Sequence, residues 1–338
     1  GGIRGLARSD DSGSSRGLSI IDPRTIVVKK SLGASCCTLG NANRCLPGNG
    51  FAVNRSLLAE LLRELEPELS AGLTIGTRVV CENDVRLMFQ MEHNLVKKGG
   101  RGADGFPLGK VVAEDGTPYH ARVVKLARYA ESDIVIEYSM PNIENMKQSG
   151  LFQENLMRKV VYVPPLQWNY NPGSAETRDI GVAVTFFFGK DMTSSPRRKE
   201  LIEKLQSAGV ELHFVGGVPA QSNEMQNVFD RARIVINVHQ TPHHHTLEEF
   251  RVLPALTRGA IVVSESVPLQ NTIPYAESIV FAQYDNLVDT VVEVERNYKQ
   301  WYERIHGANA PTRRILQGMR EKTKADLKTR LQAVAAET

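Results

Sequence analysis

Arg233–Ser266 reads RIVINVHQTPHHHTLEEFRVLPALTRGAIVVSES, and the fold is decided there. Ile234, Val235, Ile236 and Val238 form an apolar run of strand length, which ends in a polar cluster of Asn237, His239 and three further histidines. A helix-like segment with Glu248, Glu249 and Arg251 follows, and then a second apolar run, Ala260–Val263. Strand, helix, strand of this kind is the unit of a parallel sheet. In an open α/β sheet, ligands sit beyond the carboxyl ends of the strands, near the N-termini of the helices that follow. Polar groups gathered at that point mark a ligand site.

Outward from this stretch the same alternation continues. Ile180–Phe188 is an apolar strand, Pro196–Ala208 a helix, Val210–Val215 a strand and Ser222–Ala232 a helix. After the Glu248–Arg258 helix and the Ile261–Val263 strand come a strand at Ser278–Ala282 and a helix at Asn286–Gly307. Towards the N-terminus, TIVVKK (25–30) is the first strand, and Ser56–Leu69 is an amphipathic helix with five leucines on one face. Further strands are expected at Arg78–Cys81, Val85–Phe89, Lys110–Ala113, Asp133–Glu137 and Lys159–Val163, with helices at Ala121–Ala130 and after Pro141. Pro164-Pro165 and the run NYNPG (169–173) punctuate the chain between the two series. The expected class is therefore α/β, with two Rossmann-like lobes built on parallel sheets and facing a cleft. Residues 1–22 read as a flexible tail, 23–170 as the first lobe and 171–310 as the second. Residues 311–338 form a charged helix whose Ile315, Leu316, Met319, Leu327 and Leu331 lie against one lobe.

Length and composition agree with this division. A chain of 338 residues is natural for two domains, and 41% apolar with 23% charged residues is ordinary for a globular protein. A formal net charge of +3 is too slight to signal nucleic acid. No apolar run approaches the roughly 18–20 residues of a membrane span. Cys36, Cys37, Cys45 and Cys81 have neither CxxC pairing nor a Cys/His zinc spacing, and read as reduced thiols. Asn54-Arg55-Ser56 is a single glycosylation sequon, common by chance. These features favour the cytoplasm. The chain opens at Gly1, without an initiator Met, as a trimmed start would.

Two constellations carry chemistry. The first is the strand–loop–helix VAVTFFFGKDMTSSPRRKELIEKL (182–205). Gly189 lets a backbone approach a ligand, while Lys190, Arg197 and Arg198 complement a diphosphate, the arginines by forked contacts. Solvated charges at a helix start are the plain alternative. The second comprises Asn237, His239, Glu248, Arg251 and Glu265. A Glu opening such a helix is placed to accept ribose hydroxyls, and Arg251 to meet a phosphate or a sugar carboxylate. Here the plain alternative is an ion pair within the helix. The run His243–His245 is expected to line a cleft rather than bind metal, because adjacent residues diverge and no matching carboxylate or cysteine stands nearby. In the first lobe, Glu92 or His93 is the candidate general base on an acceptor hydroxyl, with a surface ion pair as the alternative. Glu137-Tyr138, with Asn142, follows another strand end.

The order of these segments resembles the two-lobed GT-B glycosyltransferases, and within them the CgeB-like group and related group 1 glycosyltransferase domains. The pieces are FFFG…SPRRKELIEKL, INVH, LEEFRVLPALTRGAIVVSE and SIVFAQYDNLVDTVVEVERN, spanning about 180–298. SDIVIEYSMPNIENMKQSG (132–150) and KVVYVPPL (159–166) are similar more loosely. The resemblance implies that the second lobe binds a UDP- or GDP-linked sugar and the first an acceptor hydroxyl on a glycan, protein or lipid. It places the diphosphate near Gly189, Arg197 and Arg198, and nucleotide or sugar contacts at His239, Glu248 and Arg251. It implies no resident cofactor or metal, since helix dipole and basic side chains take the leaving group's charge. The chain departs from the pattern at one point. Leu253-Pro254-Ala255 stands where retaining members carry a second Glu, which leaves Glu248 or Glu249 as substitute.

The expected activity is thus sugar transfer from a nucleoside diphosphate to a hydroxyl. A non-catalytic glycan- or nucleotide-binding module is the alternative from another class. A third reading is a nucleic-acid-modifying sugar transferase that uses the Lys97–Arg101 basic patch.

Overall fold

The computed structural model describes residues 25–29, 74–75, 85–90, 95–97, 107–112, 118–121, 129–130, 132–150, 152–165, 170–187, 195–216, 222–240 and 246–336. The tail 1–22, the four cysteines, the Ser56–Leu69 helix, the Arg78–Cys81 strand, Glu92, His93, Lys98–Arg101, Gly189, Lys190 and His243–His245 lie outside them.

The first lobe comprises strands β1 (Thr25–Lys29), β2 (Thr74–Ile75), β3 (Val85–Gln90), β4 (Leu95–Lys97), β5 (Pro107–Val112), β6 (Pro118–Ala121), β7 (Ile134–Glu137) and β8 (Val160–Tyr162). Helices α1 (Met140–Ser149) and α2 (Glu154–Met157) connect β7 to β8. Its main sheet has the order β2-β1-β3-β7-β8. β3, β7 and β8 run parallel, and β1 and β2 add an antiparallel edge. β7 is buried along its whole length, and Val135 packs with Tyr129, Met146 and Phe152. A smaller antiparallel sheet, β4-β6-β5, stands beside α1.

The second lobe comprises β9 (Ile180–Phe187), α3 (Pro196–Ser207), β10 (Leu212–Gly216), α4 (Asn223–Arg231), β11 (Ala232–Asn237), α5 (Glu249–Thr257), β12 (Ile261–Glu265), β13 (Val280–Ala282), α6 (Leu287–Arg296) and α7 (Tyr298–His306). Its sheet is parallel throughout, with the order β10-β9-β11-β12-β13. Counted along the chain this is 2-1-3-4-5, so the winding reverses between β9 and β11. Helices cover both faces of such a sheet, and its strands are accordingly apolar without alternation. Val182–Val184, Ile234–Ile236 and Ile261–Val263 are all buried. On α3, Leu201, Ile202 and Leu205 turn into this core, while Lys199, Glu200 and Glu203 face solvent. At the amino ends of the strands Arg178 donates to the carbonyls of Phe229 (2.8 Å), Ala232 (2.6 Å), Pro172 (2.8 Å) and Arg258. One guanidinium thus ties together the segments at that end of the sheet.

The α/β class and the parallel-sheet lobes expected from the sequence are present. Three local expectations change. Ala121 ends β6 instead of opening a helix, because it pairs with Leu95 of β4. The Lys110–Ala113 strand belongs to the small antiparallel sheet. The helix expected over Asn286–Gly307 breaks at Asn297 (φ −105°, ψ 28°), and the bend lets the Tyr302 hydroxyl donate to the Pro172 carbonyl at 2.8 Å. The last helix, α8 (Thr312–Ala336), reaches both lobes. Leu316 and Met319 enter the second core, and the helix also lies against β8 and β3 of the first sheet.

Candidate functional site

The polar residues of the second lobe converge beside the winding reversal. β11 ends at Asn237, β12 at Glu265, and α3 begins at Pro196 just across from them. Arg197 lies between two partners. Its guanidinium makes a forked pair with the Glu265 carboxylate, Nη1 donating to Oε2 at 2.6 Å and Nη2 to Oε1. Its other face stacks on Tyr284, 3.7 Å from the ring centroid, and the Tyr284 hydroxyl donates to the Arg197 carbonyl at 2.7 Å. Glu265 also accepts the His239 backbone N–H at 3.0 Å. Burial pushes the Glu265 carboxyl up, but the Arg197 hydrogen bonds and charge, with His239, outweigh it and leave it below its ordinary value.

Arg198 points the other way along the same strand ends. It is 8% exposed and donates from Nη2 to the Val238 carbonyl at 3.0 Å. Burial and then the nearby Arg251 charge lower its pKa to about 10, with Glu248 opposing them. Arg251 and Glu248 themselves pair at 3.6 Å, one turn apart on α5. Among the described residues, three guanidiniums (Arg197, Arg198, Arg251) thus meet two carboxylates (Glu248, Glu265) at the mouth of a parallel sheet, a formal excess of one positive charge. Deeper in, Asn237 Nδ2 donates to Ser264 Oγ at 3.0 Å, and Ser264 Oγ to the Glu265 carbonyl at 3.0 Å. Ser195 Oγ ties the start of α3 to the Gln240 carbonyl at 2.7 Å.

Seven sequence-expected residues therefore share one place: Arg197, Arg198, Asn237, His239, Glu248, Arg251 and Glu265. Three of them do something other than bind a ligand. Arg197 and Glu265 neutralise each other, so neither stands ready for a ligand of its own. Glu248 makes the intrahelical pair that its spacing from Arg251 allows. Glu249, the other candidate for ribose, is buried, accepting the Tyr275 hydroxyl of its own lobe at 2.7 Å and the Tyr162 hydroxyl of the first lobe at 3.5 Å. Tyr284 and Ser264 were not singled out from the sequence, since an aromatic and a serine near strand ends are too common to stand out. Among the described residues, no group of three or more His, Cys, Asp or Glu is placed to hold a metal ion. No described helix is long and apolar enough to cross a membrane.

The class these features define is a two-lobed α/β protein with an arginine-rich site at the reversal point of its second sheet. No family model matches the chain. An uncharacterized protein of Acanthamoeba polyphaga mimivirus is 26% identical over 175 residues, 51% of this chain and 56% of that protein. The chain thus spans little more than half the length of the curated relative it matches. Among solved structures it is similar to the GtfA/B complex, with TM-score 0.42 and 8% identity over 68% of this chain and 51% of that one. It is also similar to an α1,3-fucosyltransferase with GDP-fucose, with TM-score 0.33 and 11% identity over 57% and 70%. A further α1,3-fucosyltransferase structure gives TM-score 0.32 and 15% identity over 47% of each chain. Two of these are fucosyltransferases by name, and at such identities and TM-scores the likeness carries no argument about this chain.

Proposed function

We propose that the chain is a glycosyltransferase that moves a sugar from a nucleoside diphosphate, UDP- or GDP-linked, to an acceptor hydroxyl. The observation that carries this reading is the placement of buried Arg198 beside Arg251, at the carboxyl end of β11 and the N-terminal turn of α3. Glu248 offsets only one of these two like charges, and an anion bridging the pair would balance the other. A diphosphate brings two charges and forked acceptors for guanidinium groups. The N-terminus of α3 adds its unpaired N–H groups and positive dipole end. In this reading Arg198 and Arg251 stabilise the departing diphosphate, with Gly189 and Lys190, a few positions earlier in the sequence, as further contacts. Arg197 and Glu265 are positioning residues that hold the strand ends and His239. Glu92 or His93 of the first lobe serves as base on the acceptor. The arginines do the work a divalent metal does elsewhere, so activity is expected to survive excess chelator; loss of activity in chelator would overturn the metal-free mechanism.

The deciding test is titration calorimetry with UDP and with GDP, alongside donor hydrolysis and transfer over a panel of sugar nucleotides. One charge-assisted contact is worth about 1.5–3 kcal/mol, so Arg251→Gln and Arg198→Lys are expected to weaken binding by roughly ten- to a hundredfold. Equal affinity in wild type and both variants would remove the assignment. Nucleotide binding with no turnover across the panel would instead identify a non-catalytic binding module.

A further inference from the structure

A second polar cluster lies where the lobes meet, and the arginine site does not use it. Glu137, the last residue of β7, and Glu249, the first of α5, are each 0% exposed. Oε1 of Glu137 accepts the Ser139 N–H at 3.1 Å and Asn142 Nδ2 at 2.9 Å. Oε2 of Glu249 accepts the Tyr275 hydroxyl at 2.7 Å and, at 3.5 Å, that of Tyr162 from β8. The second oxygen of each carboxyl group, Oε2 of Glu137 and Oε1 of Glu249, is buried without a hydrogen-bond partner among the described residues. Beside them Tyr138 stacks on Phe250, with centroids 4.5 Å apart, so the packing across this seam is close.

The titratable groups around the two carboxyls are Tyr129, Tyr138, Tyr162, Tyr275 and Glu248. Burial lifts all four tyrosines well above their ordinary range, so they remain neutral donors. Among the described residues no Lys, Arg or His pairs with Glu137 or Glu249. Two fully buried carboxyls that feel each other's charge, with no cation paired to either among the described residues, do not both ionise readily.

We infer that Glu137 and Glu249 form a proton-holding seam: protonated, they let β7 and α1 of the first lobe pack against α5 of the second, and ionised, they repel and loosen that contact. A neutral carboxyl keeps an O–H donor for its neighbour, and a lone buried carboxylate has no such recourse. The direction of the pH effect follows. Burial raises Glu249 to about 8 and Glu137 well above its ordinary 4.5. Both groups bind protons more tightly in the packed state than in the unfolded one. Their contribution is complete below about 4.5 and declines as pH rises towards 8. Because α5 also carries Arg251, the seam and the proposed diphosphate site share one helix, and the seam itself does not rest on that site.

The test is thermal unfolding of the full chain from pH 5 to pH 9 for wild type, Glu137→Gln and Glu249→Gln, together with amide hydrogen exchange. Wild type is expected to lose Tm steadily between pH 5 and 8. Over the same interval Met140–Ser149 and Glu249–Thr257 should exchange faster than intrinsic base catalysis accounts for. Each Gln variant is expected to flatten the profile and to match or exceed wild type at pH 8. Identical pH profiles in all three proteins would overturn the seam. Should a Gln variant fail to fold, the wild-type exchange decides alone: unchanged protection of those two segments between pH 5 and 8 sinks the inference. Loss of UDP and GDP binding in every protein with this pH behaviour intact would instead count against the diphosphate site alone.

Discussion

Arg197 shows how one side chain changes meaning between sequence and structure. Beside Arg198 and Lys190 in the sequence, it reads as one of several cations waiting for a diphosphate. In the fold it is clamped by Glu265 and Tyr284, and its charge is already matched. Glu265→Gln is expected to cost about 3 kcal/mol, since it leaves a largely buried guanidinium without its partner. Chemical denaturation at neutral pH reads this directly. The pair also has a pH signature opposite to that of the seam. The Glu265 carboxyl is held below its ordinary value, so its stabilisation is present above about 4.5 and is lost as pH falls below that. Wild type should therefore lose more stability than Glu265→Gln on acidification from pH 5 to 3. Equal losses would mean that the pair contributes nothing. The separation of 68 positions from Arg197 to Glu265 explains why no spacing rule finds this pair, whereas Glu248 and Arg251, one turn apart, were legible as a pair from the start.

At the scale of elements, α5 and the turn after it decide how the site is built. The N-terminus of α5 presents Arg251 to the arginine cluster and Glu249 to the first lobe, so one helix serves two places. Its C-terminus ends on Gly259, with φ +85°. A Cβ there would stand 2.2 Å from the Pro172 carbonyl oxygen and 2.4 Å from Arg178 Nη2. Backbone strain and the collision act together, and Gly259→Ala is expected to destabilise by at least about 2 kcal/mol. A loss below about 0.5 kcal/mol in urea titration would show that the Arg178 hub adapts freely. The element pattern itself was legible, because a buried parallel sheet demands unbroken Val/Ile runs and a helix demands a 3.6-residue period. The break at Asn297 was not, since it answers to Tyr302 reaching Pro172, a contact across 130 residues.

For the whole molecule, α8 is the element that ties the two lobes together. Leu316 and Met319 belong to the second core, Leu327 and Leu331 are fully buried further along, and the helix lies against β8 and β3. Leu331→Ala removes a buried isopropyl group and is expected to cost about 3 kcal/mol, with a cooperative denaturation curve shifted to lower urea. An unshifted midpoint would mean that the end of this helix contributes no packing energy. From the sequence the helix and its apolar stripe were plain, but not that the stripe touches more than one lobe.

The sequence alone determined the α/β class, the alternation of strands and helices in the second lobe, and the polar character of the ends of β11 and β12. Those features are local, written in hydrophobic period and in residues adjacent along the chain. Only tertiary structure decided which charges are spent on each other, and that Glu137 and Glu249 are both buried where the lobes pack. Partners of that kind are brought together by chain reversal and sheet order, and a buried charge takes its state from neighbours that sequence distance does not reveal.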